Sequence, residues 1–573
     1  MDGTMIAPHV EEYDAALNAL DAAKDTWAQT SVTERIGLLQ QVKDHLMPVA
    51  QGWAEAAARK KQIPAGSPLA GEEWTSGPYA VMSACNGLIA TLGQMDGKAF
   101  LKHLPTRELA TGQMAVKVMP HSIWDHLLLS GVTAEVWMQE GVTAGNLPKH
   151  AAVAYDVPSA QRKGKVALIL GAGNIASIAP LDVFQKLFLE NQVAILKMNP
   201  VNDYLTEYLQ AALKPLIDRD FVRVVKGDGA AGAYLTTHPL VEELHITGAA
   251  STHDAIVWGV GEEASKNRAA GTPKNDRRFT SELGAVCPTI VVPGPWSSAD
   301  LAFQAEHIAT QKLHNSGFNC VACQVLIMPK GWSKGETLLA RVREVMHKSD
   351  RLAYYPGAGD RLDSFKAHAN APQTIDRGRA PSLIISNAGD NEWFRTNEVF
   401  APAMSILDME APDAETYLIN AIAYANDQLH GTLGANILIH PKTIRAIGRV
   451  RFEEIIAQLR YGTIAINAWT GLAFLLTACP WGAFPGHTPE DVQSGIGTVH
   501  NTFMLEHTER TVVQAPWRPF PRGLLSGQFT LLPRPPWFIT NKKQDKVGRL
   551  LTGFQYKPSW FKLPRIFLNA LLG

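Results

Sequence analysis

Apolar residues recur at helical spacing from residue 11 to about residue 60, as in Ile36, Leu38, Leu39, Val42 and Leu46, so the chain opens as helix. Ser31 and Glu34 have the spacing of a capping box. The texture changes at Lys165. Residues 166–170 form a short apolar run bounded by glycine, 193–196 follow after a helix-length interval, and 221–225 and 243–246 continue the alternation. Such alternation predicts parallel strands wrapped by helices. The polar stretch 261–278 interrupts it and reads as a surface insertion. Apolar runs then resume at 289–292, 324–327, 382–385, 435–438 and 463–466, which makes a second α/β unit. Residues 511–514 read as an edge strand, and from Pro516 on the chain is rich in Pro, Trp, Phe and Lys/Arg. No internal repeat is present.

With 573 residues the chain exceeds one ordinary core, and 46% hydrophobic against 19% charged residues is a globular balance. A net charge of -1 makes no case for a nucleic-acid partner. The charge is unevenly placed, however. Residues 541–573 hold seven Lys/Arg and the single acid Asp545, a net of +6 on a body of about -7. Five cysteines in so long a chain do not form a disulfide framework and fit free thiols in a reducing compartment. The first 21 residues carry five acids and no apolar run, unlike a secretory signal, and no run approaches the ~18 apolar residues of a membrane span. The expected location is cytoplasmic.

Three glycine-bearing turns follow expected strands: Gly171-Ala-Gly-Asn-Ile-Ala176, Gly227-Asp-Gly229 and Thr247-Gly248. Each alone is equally an ordinary strand-to-helix turn. Three on one sheet edge favour a dinucleotide, because backbone N–H groups at helix starts face phosphates. Cys320 lies in the polar stretch Asn315-Ser-Gly-Phe-Asn-Cys320-Val-Ala-Cys323, where a loop would leave its thiol accessible, although a single cysteine is commonly a buried, inert one. No second cysteine pair accompanies Cys320-Val-Ala-Cys323, and the setting is not thioredoxin-like, so neither a zinc site nor a dithiol is expected.

Glu282-Leu-Gly-Ala-Val-Cys-Pro288, then Gly317-Phe-Asn-Cys320, then Glu398-Val-Phe-Ala-Pro402 form an ordered set that resembles the aldehyde dehydrogenase superfamily. Further matches run from the segment Trp27 to Arg35 to Pro480-Trp-Gly482, so the resemblance covers roughly residues 15–516. It implies an α/β protein with a Rossmann-type cofactor domain (1–130 and 164–288), an α/β catalytic domain (289–497) and a small β oligomerisation element (131–163 and 498–516) in a homodimer or homotetramer, followed by the tail 517–573. It implies oxidation of an aldehyde to a carboxylic acid with NAD or NADP. Cys320 would be the nucleophile, Asn174 and the Cys320 N–H the oxyanion donors, and Glu282 the base that hydrolyses the thioester. Lys197 and Glu398 would hold the cofactor riboses, Phe400 would lie beside the nicotinamide, and Gly227, Thr247 and Gly248 would line the cofactor site. Trp469, Phe474 and Leu475 fall where the family's substrate loop passes and suggest an apolar pocket.

The sequence departs from the family pattern at Phe318, where glutamine is usual, at Ala285 and Ala249, and at Pro200, where NAD-preferring members commonly carry an acid. Losing that acid removes the main repulsion against a 2′-phosphate, which leaves NAD and NADP both open. The approach to Glu282 is longer than the family norm by roughly ten residues. Two rivals stand beside the hydrolytic reading: a coenzyme A-dependent acylating enzyme, which Glu282 disfavours, and a non-catalytic binding protein of the same fold. The aromatic, basic tail either packs against the body or a partner subunit, or makes peripheral contact with a membrane. Prolines 533, 535, 536, 558 and 564 argue against one long helix there.

Overall fold

A computed structural model describes residues 9–377, 380–387 and 391–573. The chain begins with helices Val10–Gln29 and Val32–Lys60. Ser31 caps the second by accepting from the Glu34 N–H, which is one half of the expected box.

Three antiparallel strands come next: β1 (Thr106–Glu108), β2 (Met114–Met119) and β3 (Thr133–Met138). The strands β4 (Val166–Leu170), β5 (Val193–Lys197), β6 (Val222–Val225), β7 (Glu243–Gly248) and β8 (Phe279–Leu283) are mutually parallel. The next seven are β9 (Pro288–Val291), β10 (Val325–Pro329), β11 (Gln373–Arg377), β12 (Ala380–Asn387), β13 (Ala403–Met409), β14 (Gly434–Leu438) and β15 (Thr463–Ile466). Two more, β16 (Gly495–Ile496) and β17 (Thr508–Gln514), complete the set.

The strands divide between two sheets. One has six strands in the order β16-β8-β7-β4-β5-β6, and the other eleven, β1-β2-β3-β17-β15-β14-β9-β10-β13-β12-β11. Both faces of β4 and β5 are buried, which explains their unbroken apolar runs. The chain crosses between sheets at Leu283–Pro288, so Glu282 ends one sheet where the other begins.

Two sequence expectations need correction. The strand around 511–514 is interior, because β17 pairs with β15 on one side and β3 on the other. The expected boundary at residue 130 falls between the paired strands β2 and β3, so residues 106–119 extend the eleven-stranded sheet together with β3. The polar stretch at 261 forms helix Gly261–Ala270, which buries none of its residues, as a surface insertion should. The tail folds onto the body through helix Gln544–Tyr556 and ends in helix Leu563–Leu571. No helix among the described residues is long and apolar enough to cross a membrane.

Candidate active site

Cys320 sits on a short loop after helix Ser298–Leu313, preceded by three consecutive left-handed residues: Asn315 (φ 51°), Ser316 (58°) and Gly317 (83°). Left-handed backbone is unfavourable for residues other than glycine and persists only where the surroundings hold it. Here Glu72 accepts from the Asn315 N–H at 3.0 Å, Ser316 Oγ donates to the Leu352 carbonyl at 2.6 Å, and Asn315 Nδ2 donates to the Phe318 and Asn174 carbonyls. Glycine is required at 317, since a Cβ there would lie 2.8 Å from the Ala401 carbonyl oxygen.

Glu72 belongs to a buried ionic group. Arg351 contacts its carboxylate, and Lys61 pairs with neighbouring Glu73 at 2.8 Å; all four side chains are almost wholly buried. Sequence reading missed this group because Arg351 lies more than 200 residues from the other three and no local pattern marks them.

Asn174 leaves the β4 turn and donates from Nδ2 to the Phe318 carbonyl at 3.0 Å, which places its amide beside the Cys320 loop. Glu282 lies on β8, opposite Thr247 of β7 in the ladder. It is only 1% exposed, and the groups close to its carboxylate are the Cys320 thiol and the Trp481 indole, neither of them a cation. Burial pushes its pKa up to about 7. Burial and the neighbouring Glu282 carboxylate together push the Cys320 thiol well above its ordinary range. Cys320 is nevertheless partly accessible, whereas the other four cysteines are buried.

Two cavities meet at this pair. The larger, about 740 Å3, runs along the ends of β4, β5 and β7 and is lined by Gly171, Asn174, Lys197, Thr247, Glu398 and Phe400, among others, as well as by Glu282 and Cys320. The smaller lies on the far side of Cys320 and is walled by Ile175, Ile178, Trp469, Phe474, Leu475 and Trp481. Trp469, Phe474 and Leu475 thus face one apolar chamber next to the thiol.

The structure brings Cys320, Glu282, Asn174, Lys197, Thr247, Gly248, Glu398 and Phe400 to the larger cleft, but not Gly227. Gly227 lies behind the turn, its Cα packed toward Ala231 and the Tyr13 hydroxyl, while Asp228 and Gly229 face the cleft in its place. Asp228 caps the following helix by accepting from Ala230 and Ala231, which turns Gly227 inward.

Glu398 reaches Gly284 so closely that a Cβ there would lie within 1.8 Å of Oε2, so position 284 admits only glycine. Its Oε1 has no hydrogen-bond partner among the described residues, and burial raises its pKa to about 8. The fully buried Lys312, held down to about 8, partly offsets that burial. Lys312 was not anticipated, because a lysine in a helix normally signals a solvated face. The unexpected Phe318 is fully buried, stacked on Tyr355 with centroids 5.3 Å apart and tilted against Phe400 at 5.7 Å. An aromatic cluster thus replaces the family's glutamine.

Residues 183–351 match the family model described as the aldehyde dehydrogenase family. Among solved structures, NAD-dependent aldehyde dehydrogenase from Sinorhizobium meliloti is 18% identical with a TM-score of 0.57, over 89% of this chain and 88% of that one. An aldehyde dehydrogenase from Mycobacterium tuberculosis complexed with NAD+ is 18% identical with a TM-score of 0.57, over 88% and 90%. A mutant of aldehyde dehydrogenase C from Pseudomonas syringae, complexed with NAD+ and octanal, is 15% identical with a TM-score of 0.57, over 89% and 90%. The two-sheet fold is that of the aldehyde dehydrogenases. Over the whole chain the likeness is one of fold, and the sequence match to the aldehyde dehydrogenase family covers residues 183–351.

Proposed function

We propose that this protein is an NAD(P)-dependent aldehyde dehydrogenase that oxidises an apolar or long-chain aldehyde to a carboxylic acid through a thioester on Cys320. The observation that carries this reading is Glu282: a buried carboxylate with no cation to neutralise it, beside the Cys320 thiol and the Trp481 indole where two cavities meet. Burying a carboxylate without a countercharge is unfavourable, so its presence supports a role with substrate and water.

The larger cleft fits a dinucleotide. Lys197 and Glu398 would hold the riboses, and the unpartnered Glu398 Oε1 suits a sugar hydroxyl donor. Phe400 would flank the nicotinamide ring, and Thr247, Gly248 and Gly229 line the part nearest the helix starts, which suits phosphate. When bound, the nicotinamide supplies the hydride acceptor. The complexes of solved relatives with NAD+ support this cofactor class.

The aldehyde would enter from the apolar chamber and present its carbonyl carbon to Cys320 Sγ. As the C–S bond forms, the thiol proton passes to Glu282 and on to solvent, and the carbonyl oxygen becomes an oxyanion between Asn174 Nδ2 and the Cys320 N–H. Preaimed neutral donors stabilise that charge without reorganising. Loss of hydride from the same carbon leaves a thioester. Glu282, again a carboxylate, takes a proton from water as its oxygen attacks the acyl carbon. The C–S bond then breaks, releasing the acid and regenerating the thiolate. The aromatic and aliphatic chamber wall supports an apolar substrate, and a solved relative holds octanal.

The proposal includes residues 1–105 and 164–288 as cofactor domain and 289–497 as catalytic domain, with residues 106–119 joined to the eleven-stranded sheet. It also includes self-association through the β3 and β17 region and peripheral contact with a membrane through the tail. The test is absorbance of reduced nicotinamide with NAD or NADP and an aldehyde series, without coenzyme A. Reduction that vanishes in Cys320→Ala is expected. Reduction only with coenzyme A would establish the acylating rival, and none in either condition the binding protein.

A further inference from the structure

Among the described residues, nine of the twelve exposed large apolar side chains gather on three adjoining segments. These are helix Ile123–Leu128, the turn around 524–529 and the C-terminal stretch 560–572. The first and last segments touch, and residues just beyond the turn tie it to the chain flanking both. Trp124 packs on Trp560 with ring centroids 4.6 Å apart, Ser130 accepts from the Leu531 N–H, and Arg534 donates to the carbonyl of Gly573. Phe561 is 95% exposed and Leu525 77%. Helix Leu563–Leu571 turns Leu563 and Ile566 inward against Phe554, so its inner face is already satisfied. Phe561, Arg565, Leu568 and Leu572 follow at helical spacing along the outer face and are all exposed.

An exposed stripe of this kind on a folded protein marks a contact surface. Its charge identifies the occupant. Residues 546–573 contain no Asp or Glu, while Lys557 and Arg565 are exposed beside the apolar stripe. Lys562 donates to the carbonyls of Gly553 and Lys557, which fixes the bend between the last two helices. Aromatic and leucine side chains flanked by Lys557 and Arg565, on a C-terminal stretch without acids and with Asp125 of the neighbouring helix paired to His121, complement an anionic lipid interface: the rings enter the headgroup layer and the cations meet phosphate.

We propose that this face docks on an anionic lipid bilayer with helix Leu563–Leu571 lying in the plane of the interface. This deepens the peripheral contact included in the proposed function. It is independent of the chemistry at Cys320, because vesicle binding is read without turnover.

The test is co-sedimentation of the full-length protein with phosphatidylcholine vesicles and with vesicles containing one-quarter phosphatidylglycerol, alongside the double variant Phe561→Asp, Leu568→Asp. Both side chains are exposed, so the variant should keep the parental melting temperature and oxidation of a short soluble aldehyde. At least tenfold more bound protein on anionic than on neutral vesicles, lost in the variant, is expected. No binding, equal binding to both vesicles, or binding that survives the substitutions overturns the proposal. A variant that instead changes only the oligomeric state also overturns it and assigns the face to a second copy of the chain.

Discussion

The side chain of Asn174 donates to the Phe318 carbonyl at 3.0 Å, two residues before Cys320, so the turn after β4 and the nucleophile loop are joined by one hydrogen bond. That bond aims the amide toward the space where an aldehyde oxygen would gain charge. Asn174→Ala is expected to lower kcat roughly 10²–10³-fold, as removal of one oxyanion donor does. Steady-state kinetics at saturating cofactor provides the check, and an unchanged kcat would remove Asn174 from the chemistry.

Glu282 must be a carboxylate to accept a proton, and burial raises its pKa to about 7. Activity should therefore fall about tenfold per pH unit below that value and level off above it. A rate profile flat from pH 5 to 8 would contradict the assignment.

The same shift bears on stability. Between its ordinary 4.5 and about 7, the folded chain keeps a proton that the unfolded chain has released. Stability from this group is thus present at low pH and declines as pH rises through that window. Glu282→Gln removes the penalty, so the variant should be more stable than the parent by roughly 1–3 kcal/mol at pH 8, with the difference fading toward pH 5. Melting temperatures at the two pH values measure it; equal differences at both would argue against a raised pKa.

Glu72 holds the left-handed turn before Cys320 by accepting from the Asn315 N–H and contacting Arg351. Glu72→Gln still offers an acceptor to the Asn315 N–H but leaves Arg351 only its longer, 3.8 Å contact with Glu73. A loss of up to roughly 3 kcal/mol is expected, the lower end for breaking a buried ion pair. Cys320 should also react with a haloacetamide at an altered rate while Cys85, Cys287, Cys323 and Cys479, all buried, stay protected. A melting shift with no change at Cys320 would make Glu72 purely structural.

Pro200 is exposed and follows Asn199, which lines the larger cleft, and it occupies the position at which the sequence resemblance leads to the expectation of an acid. Pro200→Glu should raise KM for NADP at least tenfold relative to NAD, because a carboxylate repels a 2′-phosphate. Paired KM measurements decide; an unchanged ratio would place the ribose elsewhere.

Much of this arrangement is legible along the chain, and the limits are physical. The runs at 166–170 and 193–196 reveal β4 and β5 because strands buried on both faces are mostly apolar. Cys320, Glu282 and Asn174 lie on short motifs that mark them locally. Gly227 misled because spacing places a turn but not the face its residues show, and the cap made by Asp228 decides that. The 511–514 strand seemed peripheral because its neighbours, β3 and β15, come from distant parts of the sequence. Glu72, Lys312 and Arg351 were invisible for a related reason: their significance comes from burial, which a charged letter in a sequence does not announce.

The thioester on Cys320, hydrolysed with the help of Glu282, is the centre of this account, and intact-mass spectrometry tests it directly. Glu282→Gln, mixed with NAD or NADP and an aldehyde and quenched in acid, should accumulate one acyl adduct on Cys320, absent in Cys320→Ala and absent without cofactor. A variant that turns over at the parental rate with no adduct, or an adduct on another residue, would contradict it.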